Sequence, residues 1–296
     1  MKKLFILLIT LLSFQLIDAQ IFYKVEKPGE EKVSYLFGTH HLAPVKILKE
    51  KGVADILDSL DMVIGELNFI AEGNLLPLKM QQYMMAPADS TLSKVISPKD
   101  FALISNEFKN WAPMEGMSLS MLEPMKPMVV SSMVSVTMAA REMEDYVQGE
   151  QIDSYIQQQA AQKGIAIEGL ETVEFQADVL FNSTPISLQA KALVDLLSDP
   201  AKSIELTKKL NKAYKNGDLE MMMLLSDEEQ EDPAFFYNLV DKRNKEWVKK
   251  LPELFKDKRI LVAVGALHLP GENGLIKQLT DLGYIITPID LPIKEN

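Results

Sequence analysis

Histidine is the side chain best suited to bind a transition metal or move a proton near neutral pH, and this chain has only three: His40, His41 and His268. Each sits in or beside a Gly-x-x-His turn, Gly38-Thr39-His40-His41 or Gly265-Ala266-Leu267-His268, and the two turns lie more than two hundred residues apart. That distribution points to one composite site. Glu66 and Glu171 are candidates to complete it, because each follows a short apolar run and supplies a hard oxygen donor. Two imidazoles with one or two carboxylates make a borderline divalent site that leaves positions open for water. Water on such a cation has a lowered pKa, a nearby glutamate can take its proton, and the cation can polarise a carbonyl oxygen. Taken singly, each residue also has a structural reading. A histidine after a strand can be a hydrogen-bonded structural group, and Glu171 can serve as an acid near the start of the helix that follows it. Glycine before each histidine implies either positive φ or a close backbone approach.

The elements that must position these residues can be read from hydrophobic periodicity. Ile21–Val25 and Val33–Gly38 read as a hairpin around Pro28-Gly29, ending at His40 and His41. Val45–Leu60 carries helical spacing, and Asp61–Leu67 reads as a buried strand that contains Glu66. Gln151–Lys163 reads as an amphipathic helix stopped by Gly164. Ile165–Leu170 is then a strand with Glu171 directly after it, and 172–182 is helical again. Arg259–Gly265 (Arg-Ile-Leu-Val-Ala-Val-Gly) reads as a buried strand running into His268, followed by a glycine-rich turn, the helix Leu275–Leu282 and a last strand, Tyr284–Ile289. Residues 185–255 read as three or four helices, the last a long one from Pro233 to about Phe255 carrying Arg243, Asn244 and Trp247. His41, Glu66, Glu171 and His268 therefore fall at or just beyond strand carboxyl ends, where open α/β sheets bind ligands. The expected fold is α/β, a central mixed β-sheet flanked by helices, with a helical insertion over about 75–145 in a single domain spanning 20–296.

Arg243 could hold a substrate carboxylate or a developing oxyanion with its donor fork. The competing reading is an ion pair that orients Glu171 or Glu174. Met114, Met117, Met121, Met125, Met128, Met133, Met138 and Met143 crowd one region, and Met221–Met223 form a triplet. Three readings apply to them: a pliable substrate groove or lid, a copper-binding cluster, or helix-core packing, the last favoured because thioethers fill irregular gaps.

Composition narrows the partners. The formal charge of −11, with acids and bases interspersed, argues against a nucleic-acid or anionic-membrane surface and for a soluble partner or small substrate. The absence of cysteine excludes disulfides, iron–sulfur clusters, thiolate zinc sites and cysteine nucleophiles. The first 19 residues read as a secretory signal peptide: Lys2 and Lys3, an apolar run from Leu4 to Ile17, and cleavage after Ala19. This implies export to the periplasm or the exterior. No later stretch is apolar and long enough for stable membrane insertion.

The motifs carry a resemblance. Tyr35-Leu36-Phe37-Gly38-Thr39-His40-His41, Gly65-Glu66-Leu67, Gly169-Leu170-Glu171-Thr172-Val173-Glu174-Phe175-Gln176, Arg243-Asn244 and Val262-Ala263-Val264-Gly265-Ala266-Leu267-His268-Leu269-Pro270-Gly271 resemble, in order and spacing, the signatures of the TraB/GumN family, which includes the Tiki metalloproteases. The resemblance implies a metal-dependent hydrolase fold with paired GxxH motifs, related more distantly to erythromycin-esterase-like and ChaN-like proteins. It further implies His41 and His268 as motif histidines and metal ligands, Glu66 as ligand or catalytic carboxylate, and Mn or Co as the divalent metal, with Zn also suited to the nitrogen and oxygen donors of a cysteine-free site. Glu171 and Arg243 join Glu66 as candidate catalytic groups. His40 falls at a variable position where most relatives carry an apolar residue. The expected reaction is hydrolysis of a peptide or other amide or ester bond; the alternative is a non-enzymatic metal or haem-iron binding protein of the same fold.

Overall fold

The computed structural model describes residues 20–289 apart from 144, 148, 229–231 and 233, so the signal-peptide reading of residues 1–19 lies outside the described residues. Six strands form one sheet: β1 (Phe22–Glu26), β2 (Ser34–Thr39), β3 (Met62–Gly65), β4 (Ala166–Gly169), β5 (Ile260–Gly265) and β6 (Ile285–Pro288), in the spatial order β4-β3-β5-β2-β1-β6. The four strands from β4 to β2 are parallel, while β1 pairs antiparallel with both β2 and β6. The sheet is therefore mixed and the fold α/β, as the alternation of apolar runs and helical periods implies.

Burial follows from topology. β5, Ile-Leu-Val-Ala-Val-Gly, sits between two parallel neighbours, and five of its six residues are fully covered. A continuous apolar run is what a strand with both faces covered requires. The main core surrounds this sheet and includes Leu36, Phe37, Val63, Val262, Tyr214 and Trp247. A second apolar core lies among helices, joining residues between Leu92 and Met138 to Ala190, Leu193 and Leu197. Met138 is buried there, Met117, Met125 and Met133 pack against it, and Met222 is buried in the main core. Met114 and Met121 stand largely exposed. Most of this methionine population fills gaps between helices.

Two expected helices are broken. Val45–Leu60 divides into Ile47–Glu50, Val53–Ile56 and the 3-10 turn Leu57–Ser59, because Gly52 takes a left-handed φ of 69° that interrupts the helix. The long helix to Phe255 starts at Pro233, outside the described residues. In its described part it is a π turn (Tyr237–Asp241), a short α-helix (Lys242–Trp247) and a separate helix (Leu251–Asp257). Pro252 lies in the first turn of that last helix, where its missing N–H costs nothing, whereas inside a continuous helix it would have clashed with the preceding turn.

Register brings the chemistry to one edge. Thr39 of β2 pairs with Gly265 of β5, Gly65 of β3 pairs with Ala263 of β5, and Gly65 also pairs with Gly169 of β4. Pairing continues past β3 and β4: Leu170 N–H donates to Gly65 O (2.9 Å) and Glu171 N–H to Glu66 O (3.1 Å). The four strand ends that carry His41, Glu66, Glu171 and His268 are thus neighbours at the carboxyl end of the parallel strands.

Of the two reasons for glycine ahead of a histidine, close approach is the one realised. Neither Gly38 nor Gly265 has positive φ. A Cβ on Gly38 would come within 2.9 Å of the Ala266 Cα, and one on Gly265 within 3.3 Å of Glu66 Oε1. Gly38 lets the first motif lie directly against the turn of the second. Gly38→Ala should therefore destabilise the protein by about 1–3 kcal/mol, the usual cost of overpacking a dense contact. Chemical denaturation would measure it, and a loss under about 0.5 kcal/mol, typical of a permissive surface site, would contradict the packing argument.

Candidate functional site

Arg243 organises the site. The preceding π turn Tyr237–Asp241 feeds it into the short helix Lys242–Trp247 and places Leu239 O against its guanidinium. All five of its N–H groups are used. Nε donates to Glu171 Oε2 (3.0 Å), and Nη2 to both Glu171 Oε1 and Glu66 Oε2 (2.5 Å each). Nη1 donates to Leu239 O (2.9 Å) and faces His268 Nε2 (3.1 Å). Arg243 is only 3% exposed, and its guanidinium lies over the Trp247 ring at 4.7 Å. Such a buried, bidentate fork is a task that lysine cannot perform. The pairing is with Glu66 and Glu171, while Glu174 lies 3.8 Å from Lys79 instead. No N–H of Arg243 is left over for a substrate oxyanion in this arrangement.

The carboxylates are tied further. Gln176, one turn into the helix Val173–Asn182, donates through Nε2 to Glu66 Oε2 (2.9 Å) and to Glu171 Oε1 (3.0 Å). Gly265 N–H donates to Glu66 Oε1 (2.9 Å), joining β3's carboxylate to the start of the second histidine turn. Burial opposes ionisation of Glu66, yet Arg243, His268 and the Gly265 amide together hold its pKa down to about 2. For Glu171 burial prevails and pushes the pKa up, with the neighbouring Glu66 charge adding to it and Arg243 opposing. The two carboxylates thus face one guanidinium with opposite leanings.

His268 is 4% exposed and its ring packs 4.4 Å from that of Trp247. Asn244 Nδ2 donates to His268 O (3.0 Å) and Asn273 O (2.9 Å), so its Oδ1 faces His268 Nδ1 (2.7 Å) and accepts a hydrogen bond from a protonated Nδ1. The Nε2 lone pair is left pointing at Arg243 Nη1 and lies 3.6 Å from Glu66 Oε1. Burial, with the Arg243 charge, lowers the pKa of His268 to about 3, which keeps the ring neutral.

His41 is the open member of the group, with a side chain 64% exposed. Its Nδ1 lies 3.1 Å from Oδ2 of the buried Asp153, and the Asp153 charge raises its pKa, with Glu66 assisting. Asp153 Oδ1 accepts from Thr39 Oγ1 at 2.7 Å. His40 turns the other way. Its ring packs 5.2 Å from that of Tyr214, whose hydroxyl donates to Gly38 O (2.8 Å), and burial lowers its pKa to about 4. The two adjacent histidines thus have different surroundings: His41 at the solvent-facing rim, His40 a neutral ring against the core.

Sequence reading assigned no role to Asp153, Gln157, Gln176 or Asn244. Gln157 donates to Leu67 O (2.7 Å) and accepts from Phe69 N (2.8 Å), fixing the turn just after Glu66. The signal was present: Asp153 and Gln157 sit four residues apart on the same buried stripe as Ile152, Ile156 and Ala160. Polar residues on an apolar helical stripe are the informative exception to burial rules. A separate cavity of about 640 Å³, lined by residues including Met128, Leu188, Asp199 and Phe235, shares no residue with this constellation.

Removing the central cation should be costly. Arg243→Met leaves Glu66 and Glu171 buried without their counter-ion, a change expected to cost about 3–5 kcal/mol in denaturant unfolding. A loss below about 1 kcal/mol would show that the cluster is effectively solvated. The lowered pKa of Glu66 has its own pH signature. Its stabilisation is fully present above the unfolded pKa of about 4.3 and is lost as the pH falls toward about 2. In Glu66→Gln that acid-side slope should flatten when unfolding free energy is measured against pH; an unchanged slope would remove Glu66 from the account.

Against known proteins, the TraB/PrgY/gumN family model matches residues 21–288, nearly the whole chain, with all four strand-end residues, Arg243 and Asn244 inside the match. No curated protein and no solved structure matches significantly. A profile that spans the hairpin, both histidine turns and the last strand establishes that the chain belongs to the TraB/PrgY/gumN family.

Proposed function

We propose that the protein is a metal-dependent hydrolase that cleaves a peptide or another amide or ester bond at the carboxyl end of β2, β3 and β5. One observation carries this reading: each motif histidine has its Nδ1 engaged by a side chain from a helix, Asp153 for His41 and Asn244 for His268. Engaging Nδ1 leaves Nε2 as the outward donor, the arrangement that outer partners impose on metal-ligating histidines.

The donor set fits a weakly held cation better than a caged one. His268 Nε2 and Glu66 Oε1 are 3.6 Å apart, less than the sum of two bonds of about 2.1 Å, so one borderline ion can touch both. Among the described residues no group of three or more His, Cys, Asp or Glu side chains is assembled as a ready metal cage. His41 and water would supply the remaining positions. Mn, Co or Zn suits such nitrogen and oxygen donors. Arg243 Nη1 would have to release His268, while its Nε and Nη2 bonds to Glu171 keep the guanidinium in place.

When bound, the cation supplies a water of lowered pKa and polarises the scissile carbonyl. The chain's own residues do the rest. Glu66, held ionised near Arg243, is a poor base at neutral pH and acts as ligand. Glu171, with its pKa raised by burial, is the better proton acceptor of the pair. His41, the exposed member, meets substrate first. Arg243 serves by orienting both carboxylates. The acidic charge, with acids and bases interspersed along the sequence, favours a small substrate over nucleic acid. The leader-like residues 1–19 support placing this activity outside the cytoplasm. Haem-iron binding by the same histidines draws less support, because Trp247 and Arg243 cover the His268 ring.

Untagged protein should take up Mn, Co or Zn and digest a peptide library only with metal added. His41→Ala and His268→Ala should each reduce metal-dependent turnover by at least about 100-fold, the scale of losing a ligand-shell group, with circular dichroism unchanged. Equal metal content in the wild type and the double variant would overturn the assignment. Tight metal uptake without any turnover would favour a binding protein.

A further inference from the structure

We propose that Asp153 is a positioning residue for His41: Thr39 fixes one carboxylate oxygen, and the other holds His41 Nδ1 so that Nε2 faces the cleft. The inference rests on the hydrolase reading for what His41 then does, although the positioning itself can be tested without it.

Asp153 enters from a different part of the chain, the second residue of the helix Ile152–Gln162, and is 7% exposed among apolar neighbours. A carboxylate in that setting is destabilising unless it is paired and hydrogen-bonded. The helix start favours its negative charge. Its partners are specific. Oδ1 accepts from Thr39 Oγ1 at 2.7 Å, and Thr39, itself 2% exposed, is the last residue of β2. Oδ2 lies 3.1 Å from His41 Nδ1, a close ionic contact bent away from ideal hydrogen-bond alignment. The hydroxyl therefore fixes the carboxylate in one rotation, and its other oxygen is set against one ring nitrogen, Nδ1.

Without that hold, His41 would be a largely exposed ring with both nitrogens open to water. Rotation about its side-chain bonds would present either nitrogen to the cleft. A purely structural Asp153 would need only Thr39 and would be indifferent to the orientation of His41. This difference separates the two roles.

The test pairs Asp153→Asn with Thr39→Val. Nitrogen-15 NMR of the imidazoles, recorded at a pH high enough for His41 to be neutral, reports which of its nitrogens carries the proton, and zinc titration of the same samples reports affinity. With positioning, Asp153→Asn changes the His41 tautomer signature and weakens zinc binding by about 10–100-fold, the scale seen for lost partners of ligating histidines. The His268 signals stay fixed, and Thr39→Val gives a smaller change of the same sign. His41 resonances unchanged in Asp153→Asn would overturn the proposal. If that variant does not fold, Thr39→Val decides, and an unaltered His41 signature there overturns it equally. Should the wild type bind no zinc while the His41 signature still shifts, the positioning role stands and the metal reading falls.

Discussion

The structure depends on one buried guanidinium. β3 and β4 deliver Glu66 and Glu171 side by side through pairing that continues past the strands, and two carboxylates so placed repel unless a cation stands between them. Arg243 is that cation, and every one of its donors is committed. A half-satisfied network of this kind would be worse than an apolar core. Gln176 and the Gly265 amide complete it, so four chain segments with no sequence proximity are locked into one geometry.

Two similar motifs yield two chemically different imidazoles. Both histidines follow a glycine that permits close packing, and both have a helix side chain at Nδ1: a hydrogen bond to Asn244 for His268 and a close ionic contact with Asp153 for His41. The holder differs, however. A charged carboxylate pushes the exposed His41 toward its protonated form, while a neutral amide, a tryptophan face and an adjacent guanidinium keep the buried His268 neutral. Environments that drive like groups apart are how one site obtains distinct acid, base and ligand functions. The Gly-x-x-His pattern is shared, but the role is set by what packs on it.

How far this was legible follows from what a sequence pattern can carry. The sheet was readable because its strands are short apolar runs bounded by turn residues, and the chemistry-bearing residues fall where those runs stop. That Glu66, Glu171, His41 and His268 share one edge followed from that placement. Asp153 and Gln157 were hidden because a carboxylate and an amide in an amphipathic helix look like its wet face. Only the phase of Ile152, Ile156 and Ala160 assigns them to the dry one. The helix carrying Arg243 looked continuous because periodicity is blind to a π turn, although Pro252 marked its end. The close contact between Gly38 and Ala266 could not be told from a positive-φ requirement, since both ask for glycine.

Exposure across the site gives a direction to its use. It falls from His41, largely open, through Glu66 to Glu171 and His268, both nearly covered. Under the hydrolase reading, a ligand would reach the His41 side first and meet the network edge before its centre. The Arg243–His268 contact is then the one bond that must yield, and like the bond to Leu239 O it involves a neutral partner. The charge-assisted bonds to Glu171 and Glu66 are stronger and remain as the pivot. A cation entering beside a guanidinium works against like-charge repulsion, so under the same reading two carboxylates, rather than one, would be needed for the site to tolerate both positive charges.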